Sequence, residues 1–191
     1  QSGGSPFGDS GEPAQSIFNE GSTYIHKGDQ AFQTSGRQYA NFVYDNVNGE
    51  LINSGGSGWD MDTLSILNGI VEITTSTSNP APYPLNIAGD LEVNGGLIYS
   101  PLVLSTLMFD GSNPQNIFGS GTILFNDLAR VEVNNTSPSI GLILQKNLTL
   151  ENNLIISDGR IEGRDVIISM QGSSQEINVA TDGQIVGTNI N

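Results

Sequence analysis

Leu64-Ser-Ile66-Leu-Asn-Gly69-Ile70-Val71, Leu91-Glu-Val93-Asn-Gly-Gly96-Leu97-Ile98 and Leu148-Thr-Leu150-Glu-Asn-Asn153-Leu154-Ile155 can be laid over one another residue by residue. Each reads as a short strand, a polar corner of Asn and Gly, and a second short strand. The second and third copies match over a longer span. Leu85, Ile87, Asp90, Leu91, Val93, Leu97 and Ile98 find like residues 57 positions on (142 minus 85), at Leu142, Leu144, Asn147, Leu148, Leu150, Leu154 and Ile155. A recurring strand-corner-strand unit predicts stacked coils rather than a closed globule. The expected fold is all-β, a right-handed parallel β-helix or β-solenoid.

Further strand signals fit the same plan. Val131-Glu-Val133 and Leu148-Thr-Leu150 alternate apolar and polar residues. In a parallel coil such apolar residues turn inward and stack on their equivalents about 4.8 Å away. Nowhere is there a sustained helical period. Composition agrees, with 24 glycines, 36% hydrophobic residues and only 14% charged ones, which suits a narrow core with many corners. Residues 1–15 hold little to bury and read as a flexible lead-in, and 16–191 as the β-helix. The end at Ile190-Asn191 shows no cap, so the chain is expected to be the first part of a longer repeat protein. Gly55-Gly-Ser-Gly58 reads as a loop bulging from a coil in preference to a domain linker. Residues 76–84, with three prolines, read as a stiff excursion.

Six basic against 20 acidic residues give a formal charge of −14. Such a surface repels nucleic acid and anionic lipid, and leaves cations and neutral polymers as partners. No apolar run approaches the ~20 residues of a membrane span. Without cysteine there is no disulfide, thiolate metal site or cysteine nucleophile.

Thr106-Leu-Met-Phe109-Asp-Gly-Ser-Asn-Pro-Gln115-Asn-Ile117-Phe-Gly119-Ser-Gly-Thr-Ile-Leu-Phe125-Asn126-Asp-Leu128, followed by Val131-Glu-Val133-Asn-Asn, resembles a phrase of very large secreted proteins of Bacteroidetes. That phrase has an apolar strand, then Gln-x-Ile-x-Gly, then Phe-Asn-x-Leu and Val-Asn-Asn. Asn147-Leu-Thr-Leu150 and Leu154-Ile-Ile-Ser-Asp-Gly159-Arg-Ile161 continue it. The likeness covers residues 85–170 well and 20–75 more loosely. It lacks the C-terminal sorting domain of such cargo. The resemblance implies export by the type IX secretion system to the cell surface, and service as an adhesin, including adhesins of the gliding machinery. It also implies that Thr63, in Asp62-Thr63-Leu64, is a candidate for O-glycosylation. Asn134, Asn135 and Asn147 open N-glycosylation sequons, which in a bacterial protein are corner residues.

The function expected is therefore a secreted adhesin or structural spacer, not an enzyme, whose partner is a glycan or surface protein. Trp59, Tyr83 and Tyr99 are candidate glycan-stacking residues, with core packing the preferred reading of Trp59. The rival is a polysaccharide-degrading enzyme, since parallel β-helices often carry such activities. Its acids would be Asp60 with Asp62, Asp90 with Glu92, or Asp158 with Glu162 and Asp165. A third reading is secretion cargo engaged through the N-terminal segment. His26, the single histidine, reads as a surface strand residue. No metal ligands or cofactor are assigned, although Asp and Asn at Gly-rich corners suit calcium. Ile161-Glu-Gly-Arg164 matches a processing-protease site but continues the corner-and-strand pattern.

Overall fold

The structure is a computed structural model that describes residues 16–30, 37–55, 58–75, 82–172 and 175–191. Every element among them is a β-strand, and every pairing is parallel. The chain winds as a solenoid with three sides to each turn. It enters through β1 (Ser16–Ile17) and β2 (Thr23–His26). β3 (Arg37–Gly55) and β4 (Trp59–Thr75) each run along all three sides, bending at the corners. Later turns break into separate strands. β5 (Leu85–Ile87), β6 (Leu91–Val93) and β7 (Gly96–Ser100) make one turn. β8 (Ser105–Phe109), β9 (Gln115–Phe118) and β10 (Thr122–Phe125) make the next. They are followed by β11 (Ala129–Asn134), β12 (Leu142–Leu144) and β13 (Leu148–Leu150). Then come β14 (Leu154–Asp158), β15 (Arg160–Gly163) and β16 (Ile167–Met170), and last β17 (Ile177–Val179), β18 (Gln184–Val186) and β19 (Asn189–Ile190).

The first side stacks β1, β3, β4, β5, β8, β11, β14 and β17. The second stacks β2, β3, β4, β6, β9, β12, β15 and β18. The third carries β3, β4, β7 and β10, and then β13, β16 and β19 as a sheet of their own. Because β3 and β4 pair along most of their length, the loop at 55–58 joins two turns of one stack. The expected lead-in 1–15, the middle of that loop and 76–81 of the Pro-rich stretch lie outside the described residues.

Alternation along each strand builds the core. β7 and β8 have strictly alternating burial, and Leu64, Leu91, Ile117 and Leu144 form one inward column on the second side, all buried. Turn length varies from 18 residues (Thr23 to Asn41) to 27 (Leu64 to Leu91), and corners absorb the difference. Of the three similar segments, the first two stack through their first strand, with Leu64 on Leu91, and slip by one residue past the corner, where Val71 and not Ile70 lies on Leu97. The third does not. Leu91 lies on the second side and Leu148 on the third, so the 57-residue likeness is out of step by one side. Each corner asks for the same chemistry, an apolar strand end followed by Asn or Gly, so units on different sides come to look alike.

At the N-terminal end the core is aromatic. Phe18 stacks on Tyr39 (4.9 Å, 17°), Tyr24 contacts Tyr39 and Phe42, and Phe42 meets Trp59 at 5.1 Å. His26 belongs to this cluster, which corrects the expectation of a surface residue. It is buried, its ring lies over Tyr44 and Phe42, and its Nδ1 is 3.3 Å from the Tyr24 hydroxyl. Its neighbour Ile25 faces out instead, because register places His26 beside the inward Tyr44. Burial lowers the imidazole pKa, so the ring is neutral there.

If the inward columns hold the stack, Leu91→Ala will cost about 2–5 kcal/mol, while Thr149→Ala on an exposed position stays within about 0.5 kcal/mol. Thermal or urea unfolding of the two variants checks this. Equal effects would contradict the column.

Candidate functional site

A groove of about 760 Å³ lies at the corner between the first and second sides. It crosses five successive turns, from Phe18 and Glu20 past Gln38, Asp60 and Asn86 to Asp110 and Ser112. Two rows of outward residues make its wall. Gln38, Asp60 and Asn86 follow one another in register on the first side. Asp62, Ala88 and Asp110 come just after, where each strand reaches the corner. Two glycines keep the corner flat. A Cβ on Gly89 would lie 2.5 Å from the Asp62 carbonyl oxygen, and one on Gly111 would lie 2.2 Å from that of Ala88.

The far end is fixed by Gln115, whose side chain points inward although the residue is polar. It is fully buried. Its Nε2 donates to the carbonyls of Ile87 and Gly89, both at 2.7 Å, and its Oε1 accepts from Gly111 N at 3.0 Å and from Asn135 Nδ2 at 2.7 Å. Both amide protons and both lone pairs are used. Asn135, also fully buried, donates to the Asn113 carbonyl at 2.8 Å and accepts from Ser137 N at 2.8 Å. This staple holds the 110–115 loop against the groove. Sequence reasoning quoted Gln115 without giving it a role. The available signal was a Gln in the inward phase of Gln115-Asn-Ile117-Phe.

Among the described residues, the Asp, Glu, Lys, Arg and His side chains lining the groove are all acidic: Glu20, Asp60, Asp62 and Asp110. Asp60 accepts from Asn86 Nδ2 at 2.6 Å. Asn86 Oδ1 is shut off from solvent and has no hydrogen-bond partner. Burial raises the Asp110 carboxyl above the ordinary aspartate value; a hydrogen bond from its own backbone N–H pulls the other way, and the charge of Asp60 adds a smaller push upward.

Of the acids expected from the sequence, Asp60 and Asp62 share this groove and Asp110 joins them. The others are spent on structure. Asp90 Oδ1 accepts from Asn116 N (2.7 Å) and Nδ2 (2.9 Å) in the next turn, and Glu92 accepts from Asn94 Nδ2 (2.8 Å). Asp158 caps Gly159 N at 2.7 Å, Glu162 pairs with Arg160 at 3.2 Å, and Asp165 sits at a corner with φ of 58°. No group of three or more His, Cys, Asp or Glu among the described residues is placed to hold a metal ion.

Trp59 packs in the core, the preferred reading of the sequence, and Tyr83 and Tyr99 lie there too instead of on an outer platform. Trp59, Tyr83 and Tyr99 are each 0% exposed. They lie in the core because all three occupy inward positions, and a buried ring needs only a partner for its polar atom. Tyr83 returns the chain from the Pro-rich stretch: its hydroxyl accepts from Asn53 Nδ2 (2.7 Å), its N–H donates to Ser105 Oγ (2.8 Å), and its carbonyl accepts from the Tyr99 hydroxyl (2.7 Å). Burial pushes the Tyr99 hydroxyl pKa up. Thr63 is half-buried beside Asn41 on the second side, near Gly89. No helix among the described residues is long and apolar enough to cross a membrane.

Gln115→Ala strands Gly111 N, Asn135 Nδ2 and two carbonyls, each costing about 1–3 kcal/mol when buried without a partner. The expected loss is about 3 kcal/mol in chemical unfolding, with faster amide exchange at 111–115. Unchanged exchange there would remove the staple from the account.

Comparison of the chain with protein-family models, with curated proteins and with solved structures gave no match.

Proposed function

We propose that the chain is a secreted, surface-displayed rod that serves as an adhesin or spacer and binds a glycan or surface protein through its outer face. The observation that carries this reading is the groove itself, a polar surface feature built across five successive turns of the stack. Parallel ladders on three sides make the body stiff, and a stiff body transmits load between what it is tethered to and what it holds. Surface display follows the resemblance to Bacteroidetes surface proteins and agrees with the charge of −14, which disfavours nucleic acid and anionic membranes.

One observation favours a second reading, glycan cleavage. Asp110 shares the groove with Asp60 and Asp62, and burial together with Asp60 keeps its proton on more readily than usual. Glycoside hydrolysis uses two carboxyl groups, one of them with a raised pKa.

Beads coated with the protein should be retained on a glycan or cell-surface preparation saturably, with no new reducing ends released. Asp110→Asn, which changes one acceptor of the groove, should weaken retention, still with no reducing ends released. Release of reducing ends that falls ~100-fold in Asp110→Asn would replace the adhesin by an enzyme.

A further inference from the structure

We infer that the groove between the first and second sides is a subsite array for an uncharged, hydroxyl-rich glycan chain lying parallel to the solenoid axis. The inference deepens the adhesin reading and rests on it.

Three features argue for this ligand. The groove repeats with the turns: each adds about 4.8 Å along the axis, close to the length of one pyranose unit in an extended chain, and each offers its own set of groups. Gln38, Asp60 and Asn86 rise in one row, and Asp62, Ala88 and Asp110 in the next. The groups presented are mainly acceptors. An ionised carboxylate accepts only, and Glu20, Asp60, Asp62 and Asp110 stand along the groove. Sugar hydroxyls supply donors at a spacing that matches. Between the acceptors lies a smaller apolar surface, the exposed Ala88 and the half-buried Phe18, against which the C–H face of a sugar ring can lie.

Charge decides the subclass. Among the described residues the lining contains four carboxyl groups and no Lys, Arg or His. Uronic-acid and sulfated chains would meet uncompensated repulsion in a partly buried site, where it is least screened. Neutral sugars meet none. Their hydroxyls also hydrogen-bond to Asp60 and Asp110 without having to displace a salt bridge, because neither acid has one.

Calorimetric titration of the full chain with cellopentaose, chitopentaose and a galacturonate pentamer tests this. Ala88→Trp and Ser112→Trp are the variants, because both residues are exposed and face the groove, so bulk there fills it without entering the core. Thermal unfolding identifies any variant that has lost its fold. The expected result is binding of at least one neutral pentamer, weakened at least tenfold by either folded variant, and no binding of the galacturonate. Three results would overturn the inference: no neutral pentamer bound at millimolar concentration, neutral binding unchanged in both variants, or the galacturonate bound as tightly as the neutral chains. Bead retention measured in parallel separates the two levels. Retention that survives both Trp variants refutes the groove and spares the adhesin, whereas loss of retention by the wild-type chain on every surface refutes the adhesin.

Discussion

The parallel backbone ladder between neighbouring turns is the constraint from which the other features follow. Once Leu64, Leu91, Ile117 and Leu144 are stacked in register, the residue on either side of each must face outward. A slip of one residue would expose the whole column, so the apolar pattern and the hydrogen bonds enforce the same register. Turn length is free to vary because only the strand segments are held. The same constraint makes the outer surface an array: whatever stands outward in one turn is repeated, with variation, in the next.

Corners are where this chain departs from simple repetition. Between the first and second sides the later turns send out loops at 110–115 and 134–141, and the ladder cannot satisfy their backbone groups. Gln115 and Asn135 do so instead, from positions that in a plain coil would hold apolar residues. Between the third and first sides Tyr83, Tyr99, Asn53 and Ser105 have the same task. In both places a polar network deep in the stack fixes an irregular segment. The groove exists because earlier turns carry no such loop at the first corner, so the 110–115 loop stands over them as an end wall.

The general architecture was legible because it depends on short-range signals. Val131-Glu-Val133 and Leu148-Thr-Leu150 show their inward faces directly, and Asn-Gly dipeptides mark the bends. What depends on side identity was not legible, since corners of one chemistry occur on all three sides. That is why Leu148 looked equivalent to Leu91. Burial of single residues followed register and not residue type: His26 went inside while Ile25 went out, and Trp59, Tyr83 and Tyr99 were drawn into the core. Asp60 and Asp62 could be named as a pair from the sequence. Their neighbour Asp110 could not, because it arrives from two turns away.

Distances along one outward row test this account most directly, and the chain contains no native cysteine to interfere with labelling. Gln38, Asp60, Asn86, Met108, Glu132, Ile155 and Asn178 are successive partners on the first side. Spin labels at Gln38→Cys with Glu132→Cys, and at Gln38→Cys with Asn178→Cys, lie four and six turns apart. At about 4.8 Å per turn, pulsed electron resonance should give narrow backbone separations near 19 and 29 Å, in the ratio of the turns. Broad distributions, or a second distance no longer than the first, would contradict a stacked solenoid and with it the groove.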